Sequence, residues 1–191
     1  MTEQTWLIWW ICPQTLSVDS GDRERKRHQR SGVTGSVVTG GTYTLVIELS
    51  ETARIGVGAL GTCTFDSGWY AYVGSANGPG GFARVDRHRE LAAGDRDVRH
   101  WHVDYLLGHP GAAIDSIERT SGADAECRVA ASIDGTAVPD FGCSDCDCDS
   151  HLFYDSSRAS LLDSVRASHC PVRETEAGTD CSRSYTGRQN G

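Results

Sequence analysis

Lysine is almost missing from this chain. Of 18 basic side chains only Lys26 is a lysine, and 26 acidic ones outnumber them. The resulting net charge of -8 argues against gripping duplex DNA through a broad basic surface, which needs many cationic contacts to release counterions. Any nucleic-acid chemistry would need a local arginine cluster and a bound cation instead. Long apolar runs are also missing: Trp6-Leu7-Ile8-Trp9-Trp10-Ile11 is far too short to cross a bilayer. Glu3 and the bulky tryptophans give neither the positive start nor the small residues of a signal peptide, so no membrane partner and a cytoplasmic location are expected. A disulfide framework is lacking too. No regular spacing relates Cys12, Cys63, Cys127, Cys170 and Cys181, which are expected to be free thiols. An Asp-rich, lysine-poor surface reads as halophilic adaptation, with hydrated carboxylates keeping the protein in solution; a GC-rich genome favouring arginine codons gives the same bias.

The length of 191 residues suits one domain with tails. Residues 1–39, with the basic run Arg23 to Arg30, read as a disordered extension or an over-extended translation start. Residues 40–155 read as the folded domain. Residues 156–191 have one short amphipathic turn, Leu161-Leu162-Val165, and read as a disordered tail. Within the domain, Tyr43–Leu49 and Trp69–Val73 have the aromatic and β-branched make-up of strands. Arg54–Phe65 reads as two short strands that can join them in an antiparallel meander. A helix is expected from about Gly81 to Ala93, burying Phe82, Val85 and Leu91 with its arginines outward, and a short one over His102–Leu107. Ala112–Arg119 reads as a further strand, and Asp124–Ala131 as a helix with Glu126 in its first turn. The expected fold is α/β, a small mainly antiparallel β-sheet flanked by helices.

The chemistry concentrates between Trp69 and His88. The strand ends at Gly74, the loop Ser75 to Gly81 follows, and the helix then carries Arg84, Arg87 and His88 on one face, a corner suited to phosphate. Upstream stands Gly41-Thr42-Tyr43. Together with Tyr72-Val73-Gly74, the arginine one helical turn in and the run Arg99 to Leu107, it resembles the GIY-YIG nuclease superfamily. The likeness is to a branch found as stand-alone prokaryotic proteins and fused to endonuclease III-type DNA repair glycosylases, and it covers roughly residues 40–155. It implies a metal-dependent endonuclease that hydrolyses DNA phosphodiester bonds, with structured or damaged DNA as partner and a role in DNA repair. By the resemblance Tyr43 activates water, Glu126 holds one divalent metal (Mg2+ or Mn2+), Arg84 stabilises phosphate charge, Tyr72 shapes the site, and His88 stands where relatives carry His or Tyr. Asn77 and Arg87 are candidate DNA contacts. Thr42 departs from the family's usual apolar residue but keeps its β-branching. Glu118 is a second acidic candidate for the metal. Taken singly, each of these residues has an ordinary role: strand aromatics, a solvated helix face, an acid favouring a helix dipole.

Two further patterns compete. Gly78-Pro79-Gly80-Gly81-Phe82-Ala83 fits a dinucleotide-binding fingerprint, with Asp104 about twenty residues on, but no strand lies between them and Pro79 blocks the backbone's approach to a pyrophosphate. Cys143, Cys146, Cys148 and His151 could furnish a structural Zn2+ site, with His100 or His102 as substitute ligands. Their spacing is poor: on an extended chain Cys146 and Cys148 point away from His151, so a tight turn is required. Cysteines packing as small hydrophobes is the ordinary reading. The alternative function is therefore a non-catalytic nucleic-acid or zinc-binding module on the same scaffold.

Overall fold

The run Gly41–Leu49 forms the central strand, β1, because its side chains find a core on both faces. Tyr43, Leu45 and Ile47 pack into one hydrophobic cluster, while Val46 points into the other beside the buried Thr42 and Thr44. The computed structural model describes residues 40–177. After β1 come β2 (Ala53–Gly56), a 3-10 turn (Gly58–Leu60), β3 (Thr62–Phe65), β4 (Gly68–Ser75), α1 (Ala83–Ala93) and α2 (His102–Leu107). Then follow β5 (Ala112–Ser121), α3 (Glu126–Ala130), β6 (Thr136–Ala137), β7 (Leu152–Asp155) and α4 (Arg158–Ala177). The main sheet has the order β5-β1-β4-β7-β6 with every neighbouring pair antiparallel, so the expected fold class holds.

Two expectations need correcting. β2 and β3 pair only with each other, as a hairpin outside the main sheet. Both edges of β1 are already taken, by β4 and β5, so the meander is closed to them. The second correction concerns the tail. Residues 158–177 form the longest helix described, and Leu161, Leu162, Val165 and Val172 bury one stripe of it beneath the sheet. The stripe is broken in the sequence by Ser168 and His169, which are also buried. His169 is held through both ring nitrogens, 2.8 Å from Thr44 Oγ1 and 2.9 Å from Thr120 Oγ1, so the sheet itself supplies partners for the buried imidazole. Cys170, expected as a free thiol, is disulfide-bonded. The expectations for residues 1–39, Cys12 and Cys181 lie outside the described residues, as does that for 178–191.

The glycines of both tripeptides have steric reasons. A β-carbon on Gly41 would run into the Thr120 carbonyl of β5. Gly74 lies opposite Tyr43 in the ladder, and a β-carbon there would stand 2.6 Å from Tyr43 Cζ. The ring thus occupies the space a side chain would need. Gly74→Ala is therefore expected to lower stability by about 1–3 kcal/mol, the usual cost of overpacking, read as a lower urea midpoint with an unchanged m-value.

α1 follows Gly80 and Gly81 and ends at Gly94, whose left-handed conformation (φ 79°) directs its N–H to the Glu90 and Leu91 carbonyls. Its inner face holds Val85, Leu91 and, unexpectedly for a polar side chain, His88. This burial puts His88 against Tyr43.

Candidate functional site

Strand alternation sends Tyr43 of β1 and Tyr72 of β4 to the same side of the sheet, under α1. Their ring centroids are 6.5 Å apart, and His88 lies 5.8 Å from the first and 6.3 Å from the second. The Tyr43 hydroxyl is 2.9 Å from His88 Nε2. On the other side of the imidazole, His88 Nδ1 lies 3.3 Å from Asp104 Oδ1, at an angle short of a good hydrogen bond. A tyrosine, a histidine and an aspartate therefore stand in line. A carboxylate there favours a proton on Nδ1, which leaves Nε2 to accept from the phenol.

Asp104, read in the sequence only as the distant acid of a dinucleotide fingerprint, is the third member of this group. It is wholly buried at the start of α2, and it accepts hydrogen bonds from Arg87 Nη1 at 3.1 Å and Nη2 at 2.7 Å, and from the backbone N–H groups of His100 (2.7 Å) and Trp101 (3.0 Å). Burial would raise its pKa, but His88, Arg87 and the two backbone donors outweigh burial and hold the carboxyl well below the ordinary carboxylate range. The signal in the sequence was an aspartate two residues inside a helix that follows a turn, where a carboxylate reaches back to cap backbone donors.

Arg87, expected outward and facing DNA, is turned inward by this pairing. Its side chain is 13% exposed, and it also donates to the Val98 carbonyl. Arg84 is half-buried, donating to the Ser75 carbonyl at 2.9 Å. Both guanidiniums lie against Trp101, 4.6 Å and 4.5 Å from the ring centroid for Arg84 and Arg87. Asn77 remains exposed on the loop between β4 and α1.

Burial pushes the Tyr43 phenol well above its ordinary value; the Arg84 charge pulls the other way, while Glu126 and Asp104 push it further up. Tyr72 is raised by burial and then by Tyr43 and Glu126, again against Arg84. The charges of Arg84 on α1 and Glu126 on α3 thus both bear on the phenols of β1 and β4. Both phenols are buried, Tyr43 to 1% exposure, whereas Glu126 is half-buried and lines a hollow of about 460 Å³ together with Asp124, Asp145 and His151.

Glu126 owes its place to Thr42. The Thr42 hydroxyl donates to the Ala123 carbonyl and accepts from the Ala125 N–H, both at 3.0 Å, which ties the start of α3 to β1. The departure from an apolar residue at position 42 is thus a tether. From α3, Glu126 Oε1 comes within 3.0 Å of His151 Nδ1. The competing acid, Glu118, pairs with Arg166 of α4 at 3.6 Å and belongs to the β5–α4 side.

The cysteine group differs from the one expected. Cys127, Cys146, Cys148 and His151 bring one ligand atom each to within 4.8 Å of one another, a group able to hold a metal ion. Cys143 stands apart, with its sulfur directed to the Phe141 carbonyl. Cys127 comes instead from α3, far back in the sequence, which no local spacing could reveal. His102 holds the cysteine loop rather than joining the group: its Nδ1 accepts from the Gly142 N–H at 3.2 Å. His100 gives its backbone N–H to Asp104, and its ring lies edge-on to Trp101 at 5.8 Å.

Among the described residues no helix is long and apolar enough to cross a membrane. The model of a family described as a domain of unknown function, DUF123, matches residues 42–173, from β1 into α4. No curated protein and no solved structure matches the chain.

Proposed function

The chain belongs to the DUF123 family, and from that premise we propose that it is a metal-dependent endonuclease of the GIY-YIG type, hydrolysing phosphodiester bonds in structured or damaged DNA. One observation carries the reading: Arg84 and Glu126 both act on the Tyr43 phenol, whose oxygen lies 2.9 Å from His88 Nε2. Phosphodiester hydrolysis needs a base for water, positive charge for the phosphoryl oxygens and help for the departing oxygen.

Tyr43 is protonated at neutral pH, so it acts as a base only by passing its proton on. As water attacks phosphorus and the bond from phosphorus to the departing strand's oxygen breaks, the water proton moves to the Tyr43 oxygen and the phenolic proton to His88 Nε2; the departing oxygen takes a proton from solvent, and the imidazolium later returns one. The imidazolium so formed faces the Asp104 carboxylate, which stabilises it. Asp104 works through His88 and is a positioning residue. Arg84 lies beside Tyr43 with one guanidinium nitrogen on the Ser75 carbonyl; a phosphate draws it outward, supplying positive charge and uncovering the phenol.

Hard divalent cations take carboxylate oxygens, water and substrate phosphate. Glu126 offers such an oxygen and would hold Mg2+ or Mn2+ on the lining of the hollow, which it shares with Asp124 and Asp145 as well as Cys127, Cys146 and Arg128. When bound, the cation lowers the pKa of water and offsets phosphate charge.

The test is nicking of branched or lesion-containing DNA at high salt. Activity is expected to require Mg2+ or Mn2+ and to vanish with EDTA, and Arg84→Ala is expected to lower it about 100-fold. Equal cleavage by that variant ends the proposal. The deep burial of Tyr43 favours a second reading, a scaffold that binds nucleic acid without cutting it. DNA retention on filters with no nicking under any divalent metal is the outcome expected for that reading.

A further inference from the structure

We propose that Cys127, Cys146, Cys148 and His151 form a structural zinc site that clamps α3 to the loop between β6 and β7. Tetrahedral zinc, with Zn–S about 2.3 Å and Zn–N about 2.0–2.1 Å, places a sulfur and a nitrogen ligand about 3.6 Å apart and two sulfurs about 3.8 Å apart. The Cys146 sulfur lies 3.5 Å from His151 Nε2, and all four ligand atoms fall within 4.8 Å of one another. Three thiolates and an imidazole are soft donors in the number a closed zinc site needs, and they suit zinc rather than magnesium or calcium.

The histidine is arranged as zinc ligands commonly are. His151 is 1% exposed; it turns Nε2 to the sulfurs and Nδ1 to Glu126 Oε1 at 3.0 Å, so a carboxylate would fix both its tautomer and its ring orientation. The angle of that contact falls short of a hydrogen bond, which leaves Nδ1 a buried polar atom without a hydrogen-bond partner. The loop gives a reason for the metal. Residues 143–149 are exposed or half-buried, Asp145, Asp147 and Asp149 repel one another, and the buried side chains lie at the two ends of the stretch, Phe141 before it and Ser150 and His151 after it. Hydrophobic burial cannot hold such a segment, whereas a cation bound by three sulfurs can. Cys127 directly follows Glu126, and His151 touches it, so the clamp would set Glu126 from two sides.

The site stands independently of DNA cleavage, and its test reads metal rather than activity. The full chain, purified under reducing conditions, is assayed for zinc by elemental analysis and by release of zinc to a chromogenic chelator on mercurial titration. Stoichiometric zinc is expected, and replacement by Co2+ should give the absorption bands of a tetrahedral thiolate site. Cys127→Ser and Cys148→Ser should lose the metal while Cys143→Ser keeps it, a contrast that separates this group from Cys143-Cys146-Cys148-His151. Glu126→Gln should retain zinc but bind it about 10–100-fold more weakly. Wild-type protein that stays folded and takes up no zinc overturns the proposal, as does a Cys143→Ser variant that loses zinc as Cys127→Ser does. Should the serine variants fail to fold, the cobalt spectrum of the wild type decides alone.

Discussion

Replacing Tyr43 with phenylalanine is expected to reduce metal-dependent cleavage by about 10²–10⁴-fold, the range for losing an acid–base group. The change removes one oxygen and keeps the ring on Gly74, so the strand pair is preserved. It leaves His88 Nε2 without a partner in a buried place, a cost of about 1–3 kcal/mol that a denaturation midpoint measures separately. In the proposed mechanism Tyr43 and His88 pass a single proton, so His88→Gln should lose a similar factor. The double variant should lose little more than either single one, since residues acting as a unit are not additive. A Tyr43→Phe enzyme that keeps more than about a tenth of the wild-type rate would make the phenol a packing group rather than a base.

Asp104→Ala should cost about 3–5 kcal/mol of folding stability, as breaking a buried ion pair from one side does. The loss takes the carboxylate from the half-buried Arg87, from the N–H groups of His100 and Trp101 and from the fully buried His88. The sign of the pH dependence follows from the carboxyl's lowered pKa. A carboxylate whose folded pKa is depressed contributes its full stability above its unfolded value, near 4, and loses it as pH falls towards the folded value. The gap between wild type and Asp104→Ala should therefore be constant near neutrality and close progressively below about pH 5. Urea melts of both across that range are the measurement. Asp104→Asn, which keeps the shape but not the charge, should lie between them. A difference under about 1 kcal/mol at neutral pH would mean that Arg87 and the two backbone donors find other partners.

The central strands were legible because their signal is local. Tyr43–Leu49 and Trp69–Val73 carry the composition of buried strands, and the glycines beside them mark where two backbones or a ring come close. The helix α1 was legible from its spacing, though the direction of Arg87 was not. An arginine that ends on a buried aspartate reads the same in sequence as one in solvent. The helix α4 was misjudged because its buried stripe passes through Ser168 and His169, whose partners Thr44 and Thr120 lie on strands far away in the chain.

The sequence alone determined the sheet-forming segments, the two glycine positions, and an acidic chain whose basic side chains are almost all arginine. Tertiary structure alone decided that Asp104 backs His88, that Thr42 holds the helix of Glu126, and that Cys127 rather than Cys143 completes the sulfur group. The physical reason is range. Strand composition and steric clearance depend on immediate neighbours, whereas a buried charge or a metal ligand is defined by partners that only the packing of β1, α1, α2, α3 and the cysteine loop brings within a few ångströms.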